Sequence, residues 1–262
     1  MFNSEKIIKG FAWRCMALIM LICLLAGCQD NGARKITVAT AANMESAMEA
    51  MTKAYTNKTG VEFELIVGSS GKLTAQIMEG APYDIFVAAN MIYPEALYRE
   101  GKAMNAPKVY ANGKLVLWSM VGNTPVSIDA LSDRAIAHIA MANPKTAPYG
   151  VAAEEVLQHY GLKEVLGPKL VFGESIGQTD QFIISQAAQI GFTALSTVLS
   201  PEMRGKGSWV IVDPSLYSKI SQGVVLVNRE ESTIQYAQDF YDFLFSLEAK
   251  EILKEFGYLM DE

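Results

Sequence analysis

The residues of this chain best placed to do chemistry are neutral hydrogen-bond donors at turns. The run Gly68-Ser69-Ser70-Gly71-Lys72-Leu73 follows a strand-like segment, Phe63 to Val67, and opens a helix-like one, Lys72 to Met78. A helix start leaves N–H groups without intrahelical acceptors, so such a turn can hold a small anion with backbone N–H groups and serine hydroxyls. Ser69 or Ser70 can equally cap the helix while the glycines permit the tight turn. Three further strand-to-helix turns have the same character: Ala41-Ala42-Asn43, Asn143 to Gly150, and Gly173 to Asp180. Four helix N-termini around one cleft could surround an oxyanion, adding the hydroxyls of Ser70 and Tyr149 and the amide of Asn43, with no buried cation. Asn43 also stands where a helix N-cap would, so its amide has two possible uses. Neutral donors favour a fully ionised oxyanion, because they offer no acceptor for a proton carried by the ligand.

Catalysis finds little support. Gly68-Ser69-Ser70-Gly71 lacks the spacing of a nucleophile elbow, and it is too short for a phosphate-binding Walker loop. The two histidines are His138, read as inside an apolar strand, and His159, read as a surface residue at a helix end; neither has a second histidine at ligand spacing. Glu45, Glu49, Glu154, Glu155 and Asp180 fall on helices near the proposed cleft and are expected on solvated faces. An inward-turned cluster of them would instead suggest cation capture.

The elements that must position these turns follow from periodicity. Lys35 to Thr40 reads as a strand, and Met44, Ala47, Met48, Met51 and Tyr55 recur at helical spacing up to a stop at Gly60. Val61 to Val67 and Tyr83 to Ala88 are further strands, and Met91 to Gly101 is a helix. Strand–helix–strand alternation predicts a parallel sheet, with ligands at the carboxyl ends of its strands. After the apolar strand Lys114 to Ser119 the alternation restarts: strand Ala135 to Met141, helix Val151 to Tyr160, strand Lys169 to Phe172, helix Asp180 to Ala188, strand Ile190 to Ala194. Late strands are expected at Val210 to Val212 and Gly223 to Val227, then closing helices Ser232 to Leu247 and Glu248 to Glu255. The reading is a two-lobe α/β protein, with a first lobe over 35–113, a second over 114–198 and a return to the first over 199–262. No charged or low-complexity linker separates the lobes, so their connections are expected to be short segments able to hinge.

The first 27 residues are not read as fold. Lys6, Lys9 and Arg14 precede an apolar run from Cys15 to Ala26, the layout of a signal peptide. All three cysteines lie at or before position 28, which leaves none for a disulfide framework or a thiolate metal site beyond it. Without residues 1–27 the chain lacks three basic groups and Glu5, and its formal charge goes from −6 to −8. Such an acidic chain argues against nucleic acid as a partner and requires any bound anion to be held by local dipoles. Of residues 28–34, Gln29 to Arg34 read as a short polar tether.

Two resemblances sharpen these expectations. Leu25-Ala26-Gly27-Cys28 resembles the lipobox of bacterial lipoproteins, which implies acylation of Cys28 and anchoring to a membrane on its extracytoplasmic side. The runs Ile36 to Asn43, Gly68 to Leu73, Gly113 to Ser119 and Asn143 to Gly150 resemble periplasmic molybdate-binding proteins of ABC transporters over residues 35 to 262. The resemblance implies a type II periplasmic binding protein fold and a monomer that captures molybdate or tungstate. It also implies that no cofactor is needed and that the ligand passes to an ABC permease with its ATPase. Carried over by position, the ligand contacts fall on Asn43 and Ser70 from the first lobe and on Tyr149 and the N–H of Ile176 from the second. Ala42 and Gly71 are expected to add N–H groups, with Ser69 and Gly177 as second choices. One branch of the family has a serine in place of Asn43 and a tyrosine where this chain has Ala194; this chain resembles the branch with an asparagine and Tyr149. A binding protein for sulfate or another oxyanion, and a structural lipoprotein without a ligand, are the alternative readings; no arginine lies in the four turns to favour an organic acid.

Overall fold

The computed structural model describes residues 35–229 and 234–260. The expected signal peptide, Cys28 and its tether, and the start of the closing helix expected at Ser232, lie outside the described residues.

Among the described residues, ten strands form two five-stranded mixed sheets. In chain order they are β1 (Lys35–Ala41), β2 (Glu62–Gly68), β3 (Ile85–Ala88), β4 (Lys108–Gly113), β5 (Leu115–Ser119), β6 (Ile139–Ala142), β7 (Leu170–Gly173), β8 (Ile190–Ala194), β9 (Ser208–Ile211) and β10 (Ile220–Leu226). The first sheet has the order β2-β1-β3-β10-β4 and the second β7-β6-β8-β5-β9. In each, three strands are parallel, β1 with β2 and β3, β6 with β7 and β8. The other two are joined antiparallel, through β10 in the first sheet and β5 in the second.

The two sheets are the two lobes. Lys114 alone separates β4 from β5, so one crossing between lobes is a single residue. The return crossing is the segment between β9 and β10. It is tied to the first crossing where the Leu115 N–H donates to Tyr217 Oη at 3.0 Å and the Val212 N–H to Leu115 O at 3.0 Å. The expected boundary at 198 falls too early. β9 pairs with β5 in the second sheet, and the first sheet is rejoined only at β10. Lys108 to Gly113 has no sustained apolar alternation, so β4 is not legible as a strand in the sequence.

The helices are α1 (Glu45–Thr59), α2 (Ser70–Met78), α3 (Ile92–Arg99), α4 (Pro148–His159), α5 (Lys163–Leu166), α6 (Ile176–Ile184), α7 (Leu195–Leu199), α8 (Ile234–Phe243) and α9 (Leu247–Glu255). α1 buries Ala47, Met48 and Met51 and stops where Gly60 takes φ 72°, a left-handed conformation that costs glycine nothing. Fully burying a methionine side chain contributes about 1.5–3 kcal/mol.

Two helices begin earlier than periodicity suggests. Pro148 supplies a preset φ and no N–H at the first position of α4, and the Ser175 side chain caps α6 by accepting from the Gln178 N–H at 3.4 Å. Tyr149 and Ile176 therefore sit in first helical turns rather than in loops. One apolar cluster joins Ala41 and Ala89 of the first lobe to Leu115, Tyr149, Ile176 and Phe192 around the second sheet, which places the floor of the cleft in dry surroundings.

Candidate functional site

The four turns meet. β1 runs into a 3-10 turn, Ala42–Met44; β2 leads through Ser69 into α2; β6 leads to α4 and β7 to α6. Between them lies a cavity lined by Ala41, Ala42, Asn43, Gly68, Ser69, Ser70 and Ala89 from the first lobe and Ala147, Pro148, Tyr149 and Ile176 from the second. Its lining carries no carboxylate, ammonium or guanidinium. Ala42, Asn43, Ser70, Tyr149 and Ile176, expected to contact an anion, all line it, as does Ser69.

Ser69 and Ser70 divide the two tasks open to them. Ser69 caps α2, its Oγ accepting from the Lys72 N–H at 3.4 Å and its carbonyl from the Leu73 N–H at 3.0 Å. Ser70 is buried, and its Oγ accepts from the Ala89 N–H at 3.0 Å. With that lone pair engaged, its own hydroxyl proton can turn toward the cavity. The Ser70 and Ile176 N–H groups lie ahead of the first intrahelical bond of their helices, as does that of Tyr149.

Gly71 and Gly177 depart from expectation. The Gly71 N–H donates to Thr146 O at 2.9 Å, a bond between the lobes, so it is not a spare donor. Gly177 lines a second cavity of about 70 Å³ with Glu45, Ser46, Asp180, Ser196 and Thr197, which shares Ala42 and Asn43 with the first.

Asn43 does not cap α1. Both protons of its amide are engaged, to Gln222 Oε1 at 2.8 Å and to Tyr258 Oη at 3.0 Å, and its main-chain carbonyl accepts from Ser196 Oγ at 2.6 Å and Tyr258 Oη at 2.7 Å. What Asn43 can offer an anion in this arrangement is its main-chain N–H, at the open start of the 3-10 turn. Tyr149 is the reverse case. Its hydroxyl is buried and has no partner at ordinary hydrogen-bond geometry among the described residues. Burial, then the neighbouring Tyr258 phenol, pushes its pKa well above 10, so it stays a neutral donor. Burial also pushes Tyr258 up to about 12.

Most of the acids behave as expected. Glu49 is exposed, Glu154 pairs with Lys163 at 2.8 Å, and Glu155 accepts from the Ser218 N–H and Oγ. Asp180 is the exception. It is buried rather than solvated, its carboxylate accepting from the hydroxyls of Thr193 and Thr197. Burial raises its pKa to about 7 against the pull of those two bonds, with the partly buried Glu45 adding to the rise. His138 is exposed just ahead of β6 rather than inside a strand, and His159 is exposed at the end of α4. Among the described residues, no three of His, Cys, Asp or Glu are grouped to hold a metal ion.

Residues 36–259 match the family described as bacterial extracellular solute-binding protein. The chain belongs to that family. This solute-binding protein is 37% identical over 250 residues to the molybdate-binding protein ModA of Rhodobacter capsulatus, covering 94% of each chain. It is 38% identical over 231 residues to ModA of Azotobacter vinelandii, covering 86% of this chain and 90% of that one. The solved periplasmic molybdate-binding protein of Azotobacter vinelandii aligns with a TM-score of 0.82 at 33% identity, over 87% of this chain and all of its own.

Four residues whose roles sequence patterns do not show support the cavity of this solute-binding protein from behind: Gln222, Tyr258, Ser196 and Gly113. Gln222 leaves a trace, as a lone amide beside the apolar run Gly223 to Val227. Gly113 opens one of the runs that carry the resemblance, with no sign there of what the glycine is for. A Cβ there would collide with Tyr149 Oη, so only glycine leaves room for that phenol.

Proposed function

We propose that this solute-binding protein captures molybdate, and tungstate with it, as the tetrahedral dianion and delivers it to an ABC permease driven by its ATPase. It does so with no cofactor of its own, held at the membrane by a lipid on Cys28. The observation that carries the reading is the cavity between the lobes, walled by helix starts and neutral donors and free of charged side chains. The names of the relatives over 30% identical give the ligand class its chemistry.

The first turns of α2, α4 and α6 line the cavity with Ser70, Tyr149 and Ile176, whose N–H groups precede the first intrahelical bond and stand at positive dipole ends. Ser70 Oγ, oriented by the Ala89 N–H, adds a hydroxyl proton, and Tyr149 Oη supplies a buried donor. A fully ionised tetraoxyanion accepts at every oxygen, whereas a protonated one would bring a donor that this lining cannot accept well. The cavity is walled from both lobes, so the ligand enters as the lobes part about Lys114 and the segment between β9 and β10 and is held as they close.

Isothermal titration calorimetry of the purified full chain against molybdate, tungstate, sulfate and phosphate tests the reading. Tight one-to-one binding of the first two, with the others weak, is the expected result. Equal binding of sulfate, or no heat from any oxyanion, sinks it in favour of another oxyanion or a structural role. For the anchor, Cys28→Ser is expected to move the protein from the membrane fraction to the soluble one.

A further inference from the structure

Gln222 is wholly buried on β10, at the point where that strand shifts register against β4 between Gln222 and Gly223. The extra residue at that shift is Tyr110 of β4, so β10 runs on unbroken through Gln222. The Gln222 amide meets residues at the back of the cavity. Oε1 accepts from Asn43 Nδ2 at 2.8 Å, and Nε2 donates to Ile220 O at 3.1 Å and lies 3.4 Å from Ala89 O. Ala89 is the residue whose N–H orients the Ser70 hydroxyl. The position a Gly113 Cβ would take overlaps Tyr149 Oη and is 3.2 Å from Gln222 Nε2, so the amide also borders the phenol. One side chain thus touches or borders the supports of Asn43, Ser70 and Tyr149.

Its place in the chain matters equally. Gln222 comes two residues after β10 begins, directly beyond the segment that returns from the second lobe, whose Ser218 is held by Glu155 of α4. A primary amide without partners is costly to bury, so a role in packing alone would be met better by an apolar side chain. We infer that Gln222 is a positioning residue for the anion: it aligns the Asn43 turn, the Ala89–Ser70 donor and Tyr149 together, and ties that alignment to the returning hinge segment. The inference rests on the anion-binding reading above.

The test titrates molybdate into the full chain carrying Gln222→Glu or Gln222→Leu, at pH 5.5 and pH 8.5, beside the unaltered protein. In Gln222→Glu, the protonated acid keeps an acceptor for Asn43 and an O–H donor for the Ala89 or Ile220 carbonyl. Once ionised, the new carboxylate loses that donor and sets a negative charge behind the anion. Affinity relative to the unaltered protein is expected to be within about threefold at pH 5.5 and to fall by about tenfold or more at pH 8.5. Gln222→Leu is expected to be weaker by about tenfold at both pH values. The nearby phenols of Tyr110, Tyr149 and Tyr258 do not titrate in this range, whereas Asp180 and Glu45, beside the Asn43 turn, carry raised pKa values. The ratio to the unaltered protein at each pH removes their effect. Near-UV circular dichroism checks the fold, with Gln222→Glu at pH 5.5 as the isosteric folded reference. If the unaltered protein binds molybdate and Gln222→Glu keeps the same relative affinity at both pH values, or Gln222→Leu binds as tightly as the unaltered protein, the inference is overturned. If the unaltered protein binds no oxyanion, the functional reading itself has failed.

Discussion

The Gly71 N–H and the Thr146 carbonyl, 2.9 Å apart, join the first turn of α2 in one lobe to the turn ahead of α4 in the other. The approach is close enough that a Cβ on Gly71 would meet Thr146 Cα at 3.0 Å and its carbonyl oxygen at 3.1 Å. A residue whose N–H suits an anion is in fact a point where the lobes touch. Beside it, Lys72 Nζ pairs with Glu174 Oε1 at 2.7 Å across the same gap.

Gly71→Ala should therefore impair closure more than folding, since the backbone it meets is that of the opposite lobe, while Tyr93 Oη of its own lobe, at 3.1 Å, is the end of a side chain that can shift. Ligand affinity is expected to drop by about 1–3 kcal/mol while the melting temperature without ligand changes little. Calorimetry and thermal unfolding together check this. A large loss of stability in the free protein would contradict it.

The Lys72–Glu174 pair is about half exposed on both sides. Lys72→Ala and Glu174→Ala are each expected to lower affinity by no more than about 1 kcal/mol, with the difference shrinking in high salt. Titrations at two salt concentrations measure it. A much larger loss in Lys72→Ala than in Glu174→Ala would mean that the ammonium acts on the anion directly.

Ser70→Ala and Tyr149→Phe each remove one hydroxyl from the cavity lining. If each donates to a charged ligand, each costs about 1.5–3 kcal/mol of affinity with the fold retained. Calorimetry beside far-UV circular dichroism is the measurement. Unchanged affinity in both would remove these residues from the site.

Asp180 links stability to pH. Its folded pKa of about 7 stands above its ordinary value of 3.8, so the folded protein holds the proton more tightly than the unfolded chain. The stabilisation is fully present below about pH 4 and is lost as pH rises through 7. Raising pH from about 5 to about 8 should lower the melting temperature of the unaltered protein more than that of Asp180→Asn. Parallel slopes would show that burial of this carboxyl has no such effect.

Local sequence is a good guide wherever a residue's role depends on its neighbours along the chain. Lys35 to Thr40 and Ile190 to Ala194 read as strands and lie in strands. The apolar spacing of Met48 and Met51 places them inside, and the strand-to-helix turns at Asn43, Ser70, Tyr149 and Ile176 are visible as turns. The same local view starts α4 and α6 late, because apolar periodicity hides the contributions of Pro148 and the Ser175 cap. His138 is misread for a similar reason, since an apolar neighbourhood in sequence says nothing about which side of a strand end meets water.

Apart from β4 and the point of return to the first lobe, the kinds of element, their alternation into two lobes and the set of residues able to present neutral donors are written in the linear chain, because backbone geometry and side-chain period are short-range properties. How those donors are used is not. Gly71 closes the lobes, Asn43 commits its amide to Gln222 and Tyr258, Tyr149 fits its hydroxyl against Gly113, and Asp180 is buried. Each of these outcomes depends on a partner from another part of the chain, far along it for Gly71 and Asn43, and such pairings are set by three-dimensional packing of the whole chain rather than by any stretch of it.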